Sequence, residues 1–324
     1  MTPSRRVAVV TGATGGMGGV IAAELADLGM HVVTVARDPR RAAALHARIG
    51  RGPGSLEVIP GDLASRAGIL AAAAAIAAEH PSVQVLVNNA GAHFAERRVS
   101  PDGLELHVAV DYLPATGLTL LLDEQLRRGR ARVVHVASDT LRDTRGITLL
   151  GAPRPATLDL DQLHDLTRLN PAEGFVPFEA YARAKLLTVT AGYDLARGFA
   201  ADGVTVNAVH PGIVATGIID DLVPAVLKPV GGLIRRAMLT PQQGAAAALR
   251  LATDPGLHGV TGRYFVRSAE TRTPPVSYDR DVQTALRAAT ERFLACPDTG
   301  SGPAAVSRDQ DDQPAREGRP VPGA

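Results

Sequence analysis

Apolar positions along this chain take two alternating forms. Short aliphatic, largely β-branched runs are separated by longer stretches in which apolar residues recur at helical spacing. The runs Val7–Val10, His31–Ala36, Leu56–Pro60, Val83–Val87, Arg132–Val136, Val204–Val209 and Gly262–Val266 read as strands. The first is uninterrupted, as a strand buried on both faces should be. Helical patterns fill Val20–Leu28, Ser65–Glu79, a long stretch within Pro101–Arg128, residues 179–191, Thr240–Ala252 and Asp281–Leu294, with Pro241 at a first-turn position. Strands alternating with helices, with no internal repeat and no mid-chain linker, predict the α/β class: one doubly wound domain on a parallel sheet, spanning residues 1–296.

Two stretches interrupt the rhythm. Residues 139–178 are spotted with Pro and Asp and hold only short apolar pieces such as Leu158-Asp159-Leu160, so they read as an insertion over the site rather than a domain. Residues 213–239, with Pro224, Pro229 and Gly231-Gly232, form a candidate substrate lid. From 297 to 324 the chain is Gly, Pro, Asp and Arg without periodicity and is expected to be disordered.

Composition narrows the field. Aromatics are 3% with no Trp, so the core should be Ala, Val and Leu. Lys+Arg 34 against Asp+Glu 33 gives a net charge of +1, which argues against a nucleic-acid or anionic-membrane partner. No apolar run reaches the ~18 residues of a membrane span; Ile69–Ala78, the longest candidate, is bounded by Arg66 and Glu79. Ser4–Val10 runs straight into glycines without a small-residue cleavage pattern and reads as a strand, not a signal. Cys296, alone, forms no intrachain disulfide, which fits a reducing cytoplasm. High Ala, Arg and Gly fit a GC-rich bacterial genome, and with it specialised metabolism.

Candidate chemistry begins directly after the first strand, at Thr11-Gly12-Ala13-Thr14-Gly15-Gly16-Met17-Gly18-Gly19. Between a strand and a helix, such glycines permit a tight turn and let backbone N–H groups approach a pyrophosphate. Roughly 20 residues on, where an acidic residue would hold the ribose of NAD, stands Arg37, with Arg40 and Arg41 beyond. A guanidinium suits a 2′-phosphate, so NADP(H) is favoured over NAD(H). Asp38, before Pro39, reads instead as the start of the next helix. Asp62 either caps a helix or meets an adenine edge. Ser138 falls at the carboxyl end of the fifth strand, where ligands of open parallel sheets bind. Tyr181 and Lys185, four apart, share one face of a predicted helix; an ammonium there lowers the pKa of a phenol and suits it to general acid–base work, although such pairs also occur on plain solvated faces.

Together these residues resemble the short-chain dehydrogenase/reductase superfamily, over about Arg5 to Leu294, and within it the retinol-dehydrogenase-like and WW-domain-oxidoreductase-like branch. The resemblance rests on Thr11-Gly12-x-x-x-Gly16-x-Gly18, Asp62-Leu63, Asn88-Asn89-Ala90-Gly91, Ser138, Tyr181-x-x-x-Lys185, Val206–Gly212 and Thr216. The same glycines also fit Gly12-x-x-Gly15-x-x-Gly18, the spacing of sugar-nucleotide epimerases and dehydratases; Asn-Asn-Ala-Gly and His-Pro-Gly favour the reductase type. The resemblance implies a Rossmann fold and cofactor contacts from Thr11, Gly12, Gly16, Met17, Gly18, Arg37, Asp62, Leu63, Asn89, Ala90, Gly91, Tyr181, Lys185, Pro211, Gly212 and Thr216. It implies Tyr181 as acid/base, Lys185 as the ribose ligand that lowers the tyrosine pKa, and Ser138 as a donor to the substrate carbonyl. The substrate is then a small-molecule ketone or alcohol, apolar or bulky if both irregular stretches wall the pocket, and a homodimer or homotetramer is expected.

Two positions depart from the family. Asp111 stands where Asn is usual, and Pro114 where Gly is usual. The Asn contributes its main-chain carbonyl to a proton relay, which an Asp preserves, while the side chain loses a donor and gains a charge. Asp111 therefore leaves open net epimerisation, dehydration or cyclisation; a dinucleotide-binding sensor without chemistry is the third reading. His93 is read either as a pocket residue or as a solvated loop histidine, and His107 as packing.

Overall fold

Val7–Val10 (β1) is buried throughout, and its neighbours show why the pattern is continuous rather than alternating: both faces of its sheet are covered. In a computed structural model, which describes residues 5–50, 52–145, 152–214 and 238–296, the further strands are β2 (His31–Ala36), β3 (Ser55–Pro60), β4 (Val85–Asn88), β5 (Arg132–Val136), β6 (Thr205–His210), β7 (Tyr264–Val266) and β8 (Ala269–Glu270). They form an 8-stranded sheet in the order β3-β2-β1-β4-β5-β6-β7-β8, parallel except for β8. The order reverses between β1 and β4, so the carboxyl ends of those strands open a crevice.

The helices are α1 (Gly16–Asp27), α2 (Pro39–Ile49), α3 (Arg66–Glu79), α4 (Leu113–Leu121), α5 (Asp123–Gly129), α6 (Pro177–Phe199), α7 (Pro241–Thr253) and α8 (Arg280–Ala295). Alternate strand residues feed two cores. Ala8, Val10, Val32 and Val87 pack with Ile21, Leu45 and Leu251 of α1, α2 and α7. Val7, Val9, Val33 and Leu86 pack with Ile76, Leu118, Leu187 and Leu286 on the other face. Helix starts follow their caps: Asp38 accepts from the amides of Arg40 and Arg41, Ser65 from Gly68, and Thr240 with Gln243 closes a capping box.

The long helix expected within Pro101–Arg128 is instead broken. Val108–Tyr112 is a π-helical turn, closed by Leu113 N–H on the Val108 carbonyl, and only then do α4 and α5 follow. Pro114 explains this: it has no N–H for the Val110 carbonyl, and its ring would crowd that carbonyl in a regular α-turn. The β7–β8 hairpin was also not foreseen. It turns through Arg267, at φ 56°.

The stretch after β5 contributes to the core. Ala156, Leu163, Leu166 and Leu169 join the cluster that holds α6. Of the lid proposed at 213–239, residues 215–237 lie outside the described residues, as do Thr216 and the tail 297–324.

Candidate active site

The glycine-rich turn is shaped by close backbone approach. Gly12 (φ 67°) and Gly16 (φ 52°) occupy the left-handed region, whereas Gly15 is extended at φ −171°. A Cβ on Gly18 would lie 2.3 Å from the Gly12 carbonyl oxygen and 2.4 Å from Asn89 Nδ2. Gly12, Gly16 and Gly18 are therefore the positions that the turn requires; Gly15 meets nothing within 4 Å. Asn89 binds the turn to the end of β4: its Nδ2 donates to the Thr11 carbonyl at 3.0 Å, and Thr11 Oγ1 accepts the amides of Asn89 (3.0 Å) and Ala90 (2.9 Å). The first turn of α1 carries no acidic residue, so its N-terminal amides face the crevice without a competing anion. Met17 is buried in the core on the α1 and α7 side, so it can offer the crevice its backbone but not its side chain.

Arg37 directly follows β2, with its side chain 72% exposed and its guanidinium 3.5 Å from Asp62. Asp38 is committed to capping α2 through contacts of 2.8 and 3.3 Å. Asp62 accepts the Ala64 amide at 3.0 Å, while Ser65 caps α3, so Asp62 keeps its position at the crevice edge. Leu63 packs partly buried against the core. Pro211 and Gly212 follow β6 at the same sheet edge; Gly212 sits at φ 98°, and a Cβ there would meet Leu239 Cδ1 at 2.5 Å.

Ser138, Tyr181 and Lys185 converge at the carboxyl end of β5. Ser138 is 8% exposed and Tyr181 7%, and Ser138 lies close enough to the phenol to pull its pKa down. One turn along α6, Lys185 Nζ lies 5.6 Å from the Tyr181 ring centre and donates to the Val136 carbonyl at 3.3 Å.

The fourth member is Asp111. Its carboxylate, wholly buried, accepts from Lys185 Nζ at 3.0 Å and from the Ala92 amide at 3.1 Å. Its main-chain carbonyl accepts the Thr188 hydroxyl at 3.0 Å. Gly91 makes room for the pair, since a Cβ there would lie 2.5 Å from Asp111 Oδ1 and 2.9 Å from Lys185 Nζ. Asp111 Oδ2 is buried without a hydrogen-bond partner among the described residues.

This pairing changes the electrostatics expected for Tyr181. Burial raises its pKa above the ordinary phenol value; Lys185 works in the opposite direction, and Asp111 adds to the increase. The expected net depression does not occur. Burial disfavours the Lys185 ammonium, yet Asp111 and Tyr181 together outweigh it and the lysine pKa is raised. Burial likewise raises Asp111 against the pull of Lys185. A carboxylate–ammonium pair thus replaces the free cation that the sequence pattern implied.

Behind the tyrosine lies a polar network that the sequence reading missed. His93 is 6% exposed, with its ring 5.9 Å from that of Tyr181, which overturns the solvated-loop alternative. His107 Nε2 accepts the Phe94 amide at 3.0 Å, so its Nδ1 carries the proton and donates to Glu105 Oε1 at 2.8 Å. Burial raises the Glu105 pKa, but bonds from His107 and Asn170 hold it below the ordinary value overall. Asn170 Nδ2 donates to Glu105 Oε2 at 2.8 Å, and Arg183 donates to Asn170 Oδ1. Glu105 and His107, two apart, were the only signal; Asn170 lies too far along the chain to be foreseen.

Known proteins of similar sequence and fold identify the family. The family profile described as short chain dehydrogenase matches residues 6–146. Polyprenol dehydrogenase of Homo sapiens is 33% identical over 293 residues, covering 87% of this chain and 82% of the relative. Retinol dehydrogenase 14 of Mus musculus is 30% identical over 295 residues, covering 87% and 83%. Among solved structures, the 3-oxoacyl (acyl-carrier-protein) reductase of Agrobacterium tumefaciens C58, with NADP bound, superimposes at TM-score 0.61 with 26% identity, covering 81% of this chain and 92% of that one. The chain belongs to the short-chain dehydrogenase/reductase superfamily, in its retinol-dehydrogenase-like branch.

Proposed function

We propose that this protein is an NADP(H)-dependent oxidoreductase that interconverts a carbonyl and a hydroxyl on an apolar or bulky small molecule. The observation that carries the reading is the convergence of Ser138, Tyr181 and Lys185 beside a backbone cradle that only glycine can form. The cradle fits a dinucleotide: Gly12, Gly16, Gly18 and the α1 N-terminus would hold the pyrophosphate, Asn89–Gly91 the adjoining ribose region, and Lys185 the nicotinamide ribose. Such a cofactor supplies hydride.

The chain's own residues do the rest. Ser138 and Tyr181 present two hydroxyl donors where oxyanion character would develop. Tyr181 gives its proton to that oxygen in reduction and takes it back in oxidation. The raised phenol pKa keeps Tyr181 protonated at neutral pH, which suits it to the acid role and favours reduction.

For NADP(H), the support is Arg37 exposed at the end of β2 while Asp38 is occupied as a helix cap. For a bulky apolar substrate, it is Phe94 and Phe175 packed on His107 next to Tyr181. Cys296 as the sole cysteine fits a cytoplasmic location.

The test is NADPH against NADH consumption across aliphatic, aromatic and polycyclic ketones. We expect NADPH-dependent turnover that falls about 10²–10⁴-fold in Tyr181→Phe, with cofactor binding retained. Unchanged turnover in that variant would sink the assignment. Arg37→Ala should raise the KM for NADPH about tenfold and leave that for NADH in place, losing roughly one charge-assisted contact.

A further inference from the structure

We propose that His31, Glu57 and His80 form a binding site for a divalent transition-metal ion of the zinc class, remote from the proposed reaction centre. His31 opens β2, Glu57 lies within β3, and His80 follows the last turn of α3. In the parallel register His31 faces Ser55 and Val33 faces Glu57, so all three strand side chains in question emerge on one side of the sheet. That is the side of α3, whose end brings His80 over them.

The donor atoms converge. Glu57 Oε2 is 3.1 Å from His31 Nε2 and 3.0 Å from His80 Nε2, and the three ligand atoms lie within 4.8 Å of one another. Ligands on a tetrahedral zinc are about 3.4 Å apart, given bonds of ~2.0–2.2 Å. The two separations from Glu57 lie close to that value, and all three atoms fall within 4.8 Å, a span that side-chain rotation can close around an ion replacing the shared protons. Among the described residues this is the one such group of three.

Two features beyond the donors favour a cation. His31 Nδ1 lies 2.7 Å from Ser55 Oγ, the outer hydrogen bond that a metal-bound imidazole needs to hold its tautomer. Arg5 also donates to Ser55 Oγ, at 3.0 Å, which leaves that oxygen a second lone pair for the imidazole N–H. His80 sits at the C-cap of α3, where the helix dipole presents partial negative charge. Two imidazoles and one carboxylate favour zinc, cobalt or nickel over calcium or magnesium, and three protein donors leave a fourth position for water. The site lies at the amino ends of β2 and β3, opposite the glycine cradle, so it would join the edge strand, its neighbour and α3 rather than take part in the chemistry.

The experiment uses the full-length chain without a histidine tag, loaded with Zn²⁺ alone and then gel-filtered. We expect one equivalent of zinc by elemental analysis and a melting temperature raised by roughly 5 °C at hundredfold excess over Kd. Co²⁺ in its place should give the intense visible bands of a tetrahedral site. Glu57→Gln and His80→Gln, which keep hydrogen-bonding capacity but weaken ligation, should lose the retained metal, the thermal shift and the Co²⁺ spectrum. Their metal-free circular dichroism and NADPH binding should match those of the parent. Zinc that the parent fails to retain, or that both variants retain equally, would overturn the proposal and leave a hydrogen-bonded cluster only. Because no reading involves turnover, the outcome is independent of the proposed oxidoreductase activity.

Discussion

At the scale of single residues, Asp111 is the most consequential position. It adds a negative charge beside Tyr181 and cancels the lysine's positive one. In reduction the rate requires a protonated Tyr181 and a charged Lys185, so it falls as pH rises through their pKa values. Replacing Asp111 with Asn removes the carboxylate that raises both. The alkaline limb of the reduction profile should therefore move to lower pH in Asp111→Asn, by about a unit, as followed by NADPH oxidation between neutral and strongly alkaline pH. A limb that stays in place would mean that the pair does not govern proton transfer. Gly18→Ala tests the cradle: its methyl would meet backbone at 2.3 Å, so NADPH affinity should drop at least tenfold by calorimetry, with some loss of stability.

At the scale of elements, β5 carries a titratable group into the core. His135 is fully buried; Asn88 Nδ2 donates to its Nδ1 at 3.2 Å, which places its own proton on Nε2. Burial, helped by Lys185, lowers its pKa to about 4. An unfolded histidine titrates near ~6.5, so between the two values the unfolded chain takes up a proton that the native one refuses. This contribution is complete above pH 6.5 and is lost as pH falls towards 4, by about 3 kcal/mol in all. Urea denaturation at pH 7 and pH 4.5 should show that slope in the parent and a shallower one in His135→Gln. The same strand shows what could be read from sequence. Arg132–Val136 matched its predicted bounds, and so did β1 and β2, because burial on both faces leaves runs that are mostly aliphatic. The π turn before α4 was not read, although Pro114 was noted, because propensity does not say how a helix accommodates a missing N–H. The two-residue β8 has too few positions to display a period.

At the scale of the whole molecule, what escaped the sequence reading is contact between distant stretches. Ser138, Tyr181 and Lys185 could be named because each sits at a recognisable place on its own element. The Asp111–Lys185 pair and the Glu105–Asn170 bond join segments 74 and 65 positions apart, and only tertiary structure shows them. Asn170 is the tie: it accepts from Arg183 of α6 and, through its carbonyl, from Arg97 at 2.9 Å, while donating to buried Glu105. Asn170→Ala would leave that carboxylate short of a donor, costing roughly 1–3 kcal/mol in urea denaturation. It should also loosen the backing of Tyr181, seen as a raised KM.

The β7–β8 hairpin has a consequence for how the molecule behaves among its copies. A long bare strand at a sheet border is a template on which a foreign chain can add strand after strand. By doubling back after Val266, the chain presents only Ala269 and Glu270 at that border, the shortest register a newcomer could copy. On that flank the sheet carries its own terminator against fibrillar growth, and any such liability falls to the opposite border, at β3.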